Sequence, residues 1–225
     1  MKTFNAKIIE KKQLTNDVIE LSLEKPADFN FKAGQFVSIK IKNKDVVKMR
    51  SYSILSTISE DRLRFVIKII KNGFASDVFE NCKVGDEFEV RGPGGKFIFE
   101  DDENEYWFIS TGTGIGPMYS MIMEFVRKIP NKKFKLIAGF RKKENLLYHN
   151  EFMKLENENE NFEYLPTLTR DGWDGAKGKV YEHLEGDLSG KTFYICGLKE
   201  MVKDVKEKLI LLKVKEENIK FEKYD

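Results

Sequence analysis

The chain has 225 residues, of which 41% are hydrophobic and 34% charged, with a net charge of only +2. At ~100–200 residues per domain it can build one large or two small domains with real cores, and the near balance of charge argues against a nucleic-acid partner. Two cysteines, Cys82 and Cys196, fall short of the thiolates an iron–sulfur cluster needs, and His149 and His183 have no metal-ligand spacing around them. No metal site is expected, and a redox role would call on a bound organic cofactor. The N-terminal MKTFNAKIIEKK lacks the apolar stretch of a signal peptide, and no apolar run approaches the ~20 residues of a membrane span. The expectation is a cytoplasmic protein with no membrane span.

Up to about residue 100 the pattern has period two. Ile19, Leu21 and Leu23 alternate with polar residues, and so do Val37, Ile39 and Ile41. Leu63, Phe65, Ile67 and Ile69 repeat the pattern, followed by Phe88 and Val90. Turn residues separate the runs, which predicts a small antiparallel barrel or sandwich. Within it, RSYS at 50–53 reads as a strand. Alternation places Arg50 and Tyr52 on one face and Ser51 and Ser53 on the other, so a cation lies beside an aromatic plate. The segment FASDVFEN, 74–81, is predicted as a short helix.

A polar hinge, EDDENE at 100–105, separates two expected domains, 1–100 and 101–225. Beyond it strand-like runs alternate with helical stripes. YWFIS (106–110) precedes a stripe of Met118, Met121, Ile122, Phe125 and Val126. FKLIAGF (134–140), FEYLPTL (162–168) and TFYIC (192–196) follow. A second helical face carries Leu198, Met201, Val202, Val205, Leu209 and Leu212, and IKFEKY closes the pattern, with Phe221 as its core residue. Such alternation predicts a five-stranded parallel α/β sheet. The biased run ENENENF, 156–162, reads as a solvated loop.

The turn STGTGIGPM after the first of these strands carries Gly112, Gly114 and Gly116, with Pro117 opening the helix. Glycines let a ligand approach the backbone, and the N–H groups of a helix start attract phosphate. The spacing is neither G-x-G-x-x-G nor a P-loop. It points to a dinucleotide or phosphate at the end of the strand, the alternative being a turn needed only for tight strand–helix packing.

RSYS at 50–53, GFAS at 73–76, GPGGKF at 92–97, TGTGIGP at 111–117 and YICGLKEM at 194–201 occur in this order. Together they resemble the ferredoxin–NADP reductase family of flavoproteins, and most of all its compact bacterial ferredoxin and flavodoxin reductases. The resemblance covers nearly the whole chain. It implies an antiparallel barrel that binds FAD, followed by an α/β domain that binds NADPH, with NADH possible. It further implies that Arg50 holds the FAD diphosphate, that Tyr52 packs on the flavin ring, and that Ser53 lies near the flavin N5. Ile67, Lys68 and Ile69 would edge the flavin, and Phe74, Ala75 and Ser76 would wrap its diphosphate, although a helix N-cap also explains Ser76. Lys96 receives no ligand role.

By the same resemblance, Gly112, Thr113, Gly114 and Gly116 would cradle the nicotinamide dinucleotide. Cys196 and Gly197 would lie against the nicotinamide, and Tyr224 would cover the flavin. Arg141 and Arg170 match basic positions used for the 2′-phosphate in NADPH-dependent members, and Lys179 falls near a third. The activity implied is hydride transfer from NAD(P)H to FAD and single-electron delivery to ferredoxin or flavodoxin. Lys42, Lys44 and Lys48 would steer such an acidic carrier. Competing readings are the reductase component of an oxygenase, a flavin or ferric reductase, and an electron-transfer subunit of a larger complex.

Overall fold

The computed structural model describes residues 1–102 and 105–224; part of the expected hinge, at 103–104, lies outside them. The chain divides into two compact units. The first takes in Met1–Phe99 with the helical turn Tyr119–Met121, and the second takes in Glu100–Met118 and Ile122 onward.

The first unit begins with β1 (Lys2–Thr15), β2 (Val18–Glu24), β3 (Phe36–Asn43), β4 (Val46–Ser53) and β5 (Arg62–Lys68). The short helix α1 (Phe74–Asn81) and β6 (Glu87–Gly94) complete it. All neighbouring strands are antiparallel, in the order β4-β3-β6-β1-β2-β5. The alternating apolar residues face inward: Leu21, Leu23, Val37, Ile39, Ile41, Leu63, Phe65 and Val90 are all fully buried. Strand β2 is buried on both faces, Glu20 and Ser22 included. Glu20 tolerates this because the Arg64 guanidinium grips it through two bonds of 2.9 and 3.1 Å. Just past β4, Leu55 N–H donates to Arg64 O of β5 at 2.8 Å, which ties the two edge strands together there.

The second unit contains β7 (Glu105–Thr111), α2 (Ile115–Phe125), β8 (Phe134–Phe140), α3 (His149–Glu158) and β9 (Phe162–Leu168). After these come β10 (Ala176–Lys177), β11 (Lys191–Leu198), α4 (Lys199–Leu211) and β12 (Ile219–Tyr224). The sheet is parallel, in the order β10-β9-β8-β7-β11-β12. It has six strands, not the five expected, because the two-residue β10 is too short to leave a periodic trace. Helix α3 was also not foreseen, and the run at 156–162 is helical at its start. Only Phe152 and Leu155 of α3 are buried, too few to draw a stripe. Phe221 corrects a further expectation. It is 42% exposed, because β12 is an edge strand, and Lys206 from α4 lies 4.0 Å over its ring.

Candidate functional site

In the first unit the candidate residues gather at the uncovered edge between β4 and α1. Alternation along β4 puts Lys48, Arg50 and Tyr52 on the face whose partners on β3 are Ile41, Ile39 and Val37, all in the core. Tyr52 is anchored edge-on against Phe79, with ring centroids 5.3 Å apart. Burial pushes its phenol up to about 12 against the opposing pull of the Arg50 charge, so the ring stays neutral at ordinary pH. The Arg50 guanidinium lies 5.8 Å over the Phe74 ring. Ser51 is exposed on the opposite face, where its hydroxyl lies 3.1 Å from Ser38, and Ser53 is buried.

Phe74 is the first residue of α1. No side chain caps that helix start, so the first-turn N–H groups of Phe74, Ala75 and Ser76 lack a capping acceptor. Ser76 is not the N-cap: Gly73 holds that place, and the buried Ser76 hydroxyl instead accepts Ile70 N–H at 2.8 Å. A Cβ on Gly73 would sit 2.9 Å from both Ile70 O and Ser76 Oγ, so the tight turn requires glycine. Asn43 ties the β3–β4 hairpin to this turn by donating to Phe74 O at 3.1 Å and Asp77 Oδ2 at 3.0 Å. Uncapped N–H donors beside a guanidinium and an aromatic platform fit a diphosphate joined to a ring system. Ile67, Lys68 and Ile69 lie apart from these, on and just after the other edge strand: Ile67 is buried in β5, Lys68 at its end pairs with Asp17, and Ile69 N–H just beyond it donates to Asp17 O at 2.8 Å.

In the second unit the chain runs from β7 outward through β8, β9 and β10, then returns to the other side of β7 with β11. The topological switch therefore lies between β7 and β11, and open α/β sheets bind ligands at the carboxyl ends of such strands. Gly112–Gly114 form a 3-10 turn there, so α2 begins at Ile115, and Gly116 and Pro117 lie in its first turn. Gly112 needs its positive φ of 53°. Gly114 is needed for space: a Cβ would lie 2.3 Å from Cys196 O and 2.9 Å from Gly197 Cα. Thr113, between them, is half-buried.

Cys196 is fully buried, in register with Ser110 on one side and Glu222 on the other. Burial pushes its thiol well above the ordinary range, partly offset by a hydrogen bond with Tyr224, while the Glu222 charge adds to the rise. Two predicted residues, Cys196 and Tyr224, are thus in contact. Nothing in the sequence marked Glu222, or the Ser110 and Thr111 hydroxyls. Those two oxygens are buried without a hydrogen-bond partner at the end of β7. Orphaned polar atoms at the switch point fit a polar ligand that completes them.

Farther along the same edge, Arg170 N–H donates to Arg141 O at 2.9 Å, which makes the two arginines neighbours at the ends of β9 and β8. Lys179 follows β10, with its ammonium 5.5 Å over the Tyr181 ring. All three are exposed, and among the described residues no carboxylate pairs with them.

Residues 5–99 match the family model for the oxidoreductase FAD-binding domain, and residues 108–207 match that for the oxidoreductase NAD-binding domain. The chain is 30% identical to ferredoxin–NADP reductase B of Sorangium cellulosum, over 91% of this chain and 90% of that protein. It is 28% identical to the reductase component of phenol 2-monooxygenase from Pseudomonas sp. strain CF600, and 28% identical to the phenol hydroxylase P5 protein of Acinetobacter pittii. It spans 54% and 65% of the length of those two proteins. Its fold matches that of a ferredoxin NADP+ reductase from Neisseria gonorrhoeae solved with bound FAD and NADP, with a TM-score of 0.88, 24% identity and 99% of each chain covered. The chain is an FAD- and nicotinamide-binding oxidoreductase. It belongs to the ferredoxin–NADP reductase family. Among the described residues, no helix is long and apolar enough to cross a membrane, and no group of His, Cys, Asp and Glu is placed to hold a metal ion.

Proposed function

We propose that this protein draws electrons from NADPH in preference to NADH and delivers them to a ferredoxin- or flavodoxin-like carrier. FAD, when bound, would supply the chemistry, two-electron uptake from the nicotinamide and one-electron release. The observation that carries the NADPH preference is the backbone contact of Arg141 with Arg170 at adjacent strand ends, with no carboxylate among the described residues paired to either guanidinium, and with Lys179 following the next strand. A 2′-phosphate is what distinguishes NADPH, and such a cluster suits it.

Within this reading Arg50 and the start of α1 hold the flavin diphosphate, and Tyr52 packs on the ring. Ile67, Lys68 and Ile69 border it. Gly112, Thr113, Gly114 and Gly116 cradle the nicotinamide dinucleotide, and Gly197 lets it approach β11. Ser53, Cys196 and Tyr224 serve the hydride step. Cys196 stays a neutral thiol in that role, since burial keeps its proton on.

The carrier assignment is supported by the near end-to-end match with a ferredoxin–NADP reductase and by the outer face of the β3–β4 hairpin. There the exposed Val47 and Met49 lie in register with Lys42 and Lys40, an apolar pair with a basic fringe that suits an acidic protein. A second reading, the reductase component of an oxygenase, is favoured by the phenol 2-monooxygenase relative.

Two experiments test the assignment. Purified protein is assayed with NADPH and NADH against a panel of ferredoxins, flavodoxins and oxygenase components. Arg170→Ala should raise the Michaelis constant for NADPH about ten- to hundredfold, the equivalent of one charged phosphate contact, and leave that for NADH nearly unchanged. Equal impairment with both cofactors would overturn the preference. In stopped-flow reduction, Ser53→Ala and Cys196→Ala should each slow flavin reduction by about tenfold or more, roughly 1.4 kcal/mol of barrier, with flavin still bound. Unchanged rates in both variants would remove them from the hydride step.

A further inference from the structure

The lysines ahead of the flavin motif fall into two groups in space. Lys40 pairs with Glu89 at 3.0 Å, and Lys42 is in register with Val47. Both belong to the outer face of the hairpin. Lys48 has the opposite parity. Its ammonium lies 4.9 Å over the Phe74 ring, the same ring that carries the Arg50 guanidinium at 5.8 Å. Two cations thus share one aromatic platform at the uncapped start of α1.

The burial pattern sharpens this. The β3 partners of Lys48 and Arg50, Ile41 and Ile39, are fully buried, yet Lys48 and Arg50 on the same side of the sheet are exposed. The protein covers that face over β3 and leaves it uncovered over β4. The nearest acid of the helix, Asp77, is engaged by Asn43 at 3.0 Å, and among the described residues no carboxylate pairs with Lys48. Holding two like charges together without an acid between them disfavours the unliganded site, and an anion with two charges relieves it.

We propose that Lys48 is a second diphosphate-binding residue, acting with Arg50 so that each phosphate of FAD meets its own cation. This rests on the reading of Arg50 and α1 as the diphosphate site. The Phe74 ring holds both cationic head groups beside it before the ligand arrives, which lowers the ordering cost of binding. Lys48 is accordingly a flavin-retention residue, on the opposite side of the hairpin from Lys40 and Lys42.

The test is titration of the flavin-stripped full chain with FAD and, separately, with riboflavin, which has the ring but no phosphate. Lys48→Met keeps an unbranched apolar side chain of similar length and removes the charge. It should weaken FAD binding by about tenfold or more and flatten the salt dependence of that binding, with riboflavin affinity and the melting temperature of the stripped protein unchanged. Lys48→Arg should restore FAD affinity to within about threefold of wild type. If Lys48→Met binds FAD as tightly as wild type, or loses riboflavin equally, or if Lys48→Arg is as weak as Lys48→Met, the role falls while the flavin reading stands. A wild type that binds riboflavin but gains nothing from the phosphates of FAD would overturn the diphosphate site itself, Arg50 included.

Discussion

Gly114→Ala is expected to destabilise the second unit and to abolish productive use of the nicotinamide cofactor while flavin stays bound. The added Cβ would lie 2.3 Å from Cys196 O and 2.6 Å from its carbonyl carbon, and both are backbone atoms of the central strand β11. No flexible side chain is available to yield. Overpacking of this kind costs about 1–3 kcal/mol and sometimes more. In a chain of this size each kcal/mol lowers the melting temperature by roughly 2–4 °C. The functional loss should exceed the loss of stability, because relief of the clash moves the turn and β11 apart at the switch point. Thermal melts and the Michaelis constant for NADPH measure the two effects separately. A variant with wild-type values for both would show that the turn has room, and that Gly114 is dispensable.

Arg50→Ala should reduce FAD affinity about ten- to hundredfold, as expected for the loss of a charge-assisted phosphate contact. Fold stability should change little, since the guanidinium is exposed and donates to the carbonyl of its own neighbour, Met49 O at 3.1 Å. The purified variant would come off the column pale and regain colour with excess FAD. Equilibrium dialysis against FAD gives the affinity. Full retention of flavin through dialysis would remove Arg50 from the diphosphate site and shift the burden to the helix start.

Much of this architecture was legible in the residues. Period-two runs marked β2, β3, β5 and β6, because one face of each packs a shared core. FASDVFEN coincides with α1, since its turn glycine and apolar spacing agree locally. The glycine turn, Cys196 and the basic residues after β8 and β9 could be placed at strand ends because a parallel sheet brings its carboxyl ends together. Three features had no comparable signal. Strand β1 mixes charged residues into both faces over 14 residues and buries only Ala6, Ile8 and Thr15. The contact of Cys196 with Tyr224 depends on the register of β12 against β11, which composition does not carry. Lys42 and Lys48 lie on opposite sides of the β3–β4 hairpin, a division hidden when the lysines are read as one run, because a strand sends alternate side chains to opposite sides. Helix α2 shows the limit of stripe counting: every residue from Ile115 to Ile122 is buried, so its apolar stripe marks only part of the covered surface.

Both thiols of the protein are buried, Cys82 bonded to Phe79 O at 3.2 Å and Cys196 beside Tyr224, and burial pushes both above their ordinary range. Alkylating agents, peroxides and disulfide exchange all act on the exposed thiolate, which neither residue presents. In handling terms, the folded chain is expected to react slowly with thiol reagents, and unfolding should open both cysteines to them. An enzyme built to move electrons thereby keeps its own sulfur out of the traffic.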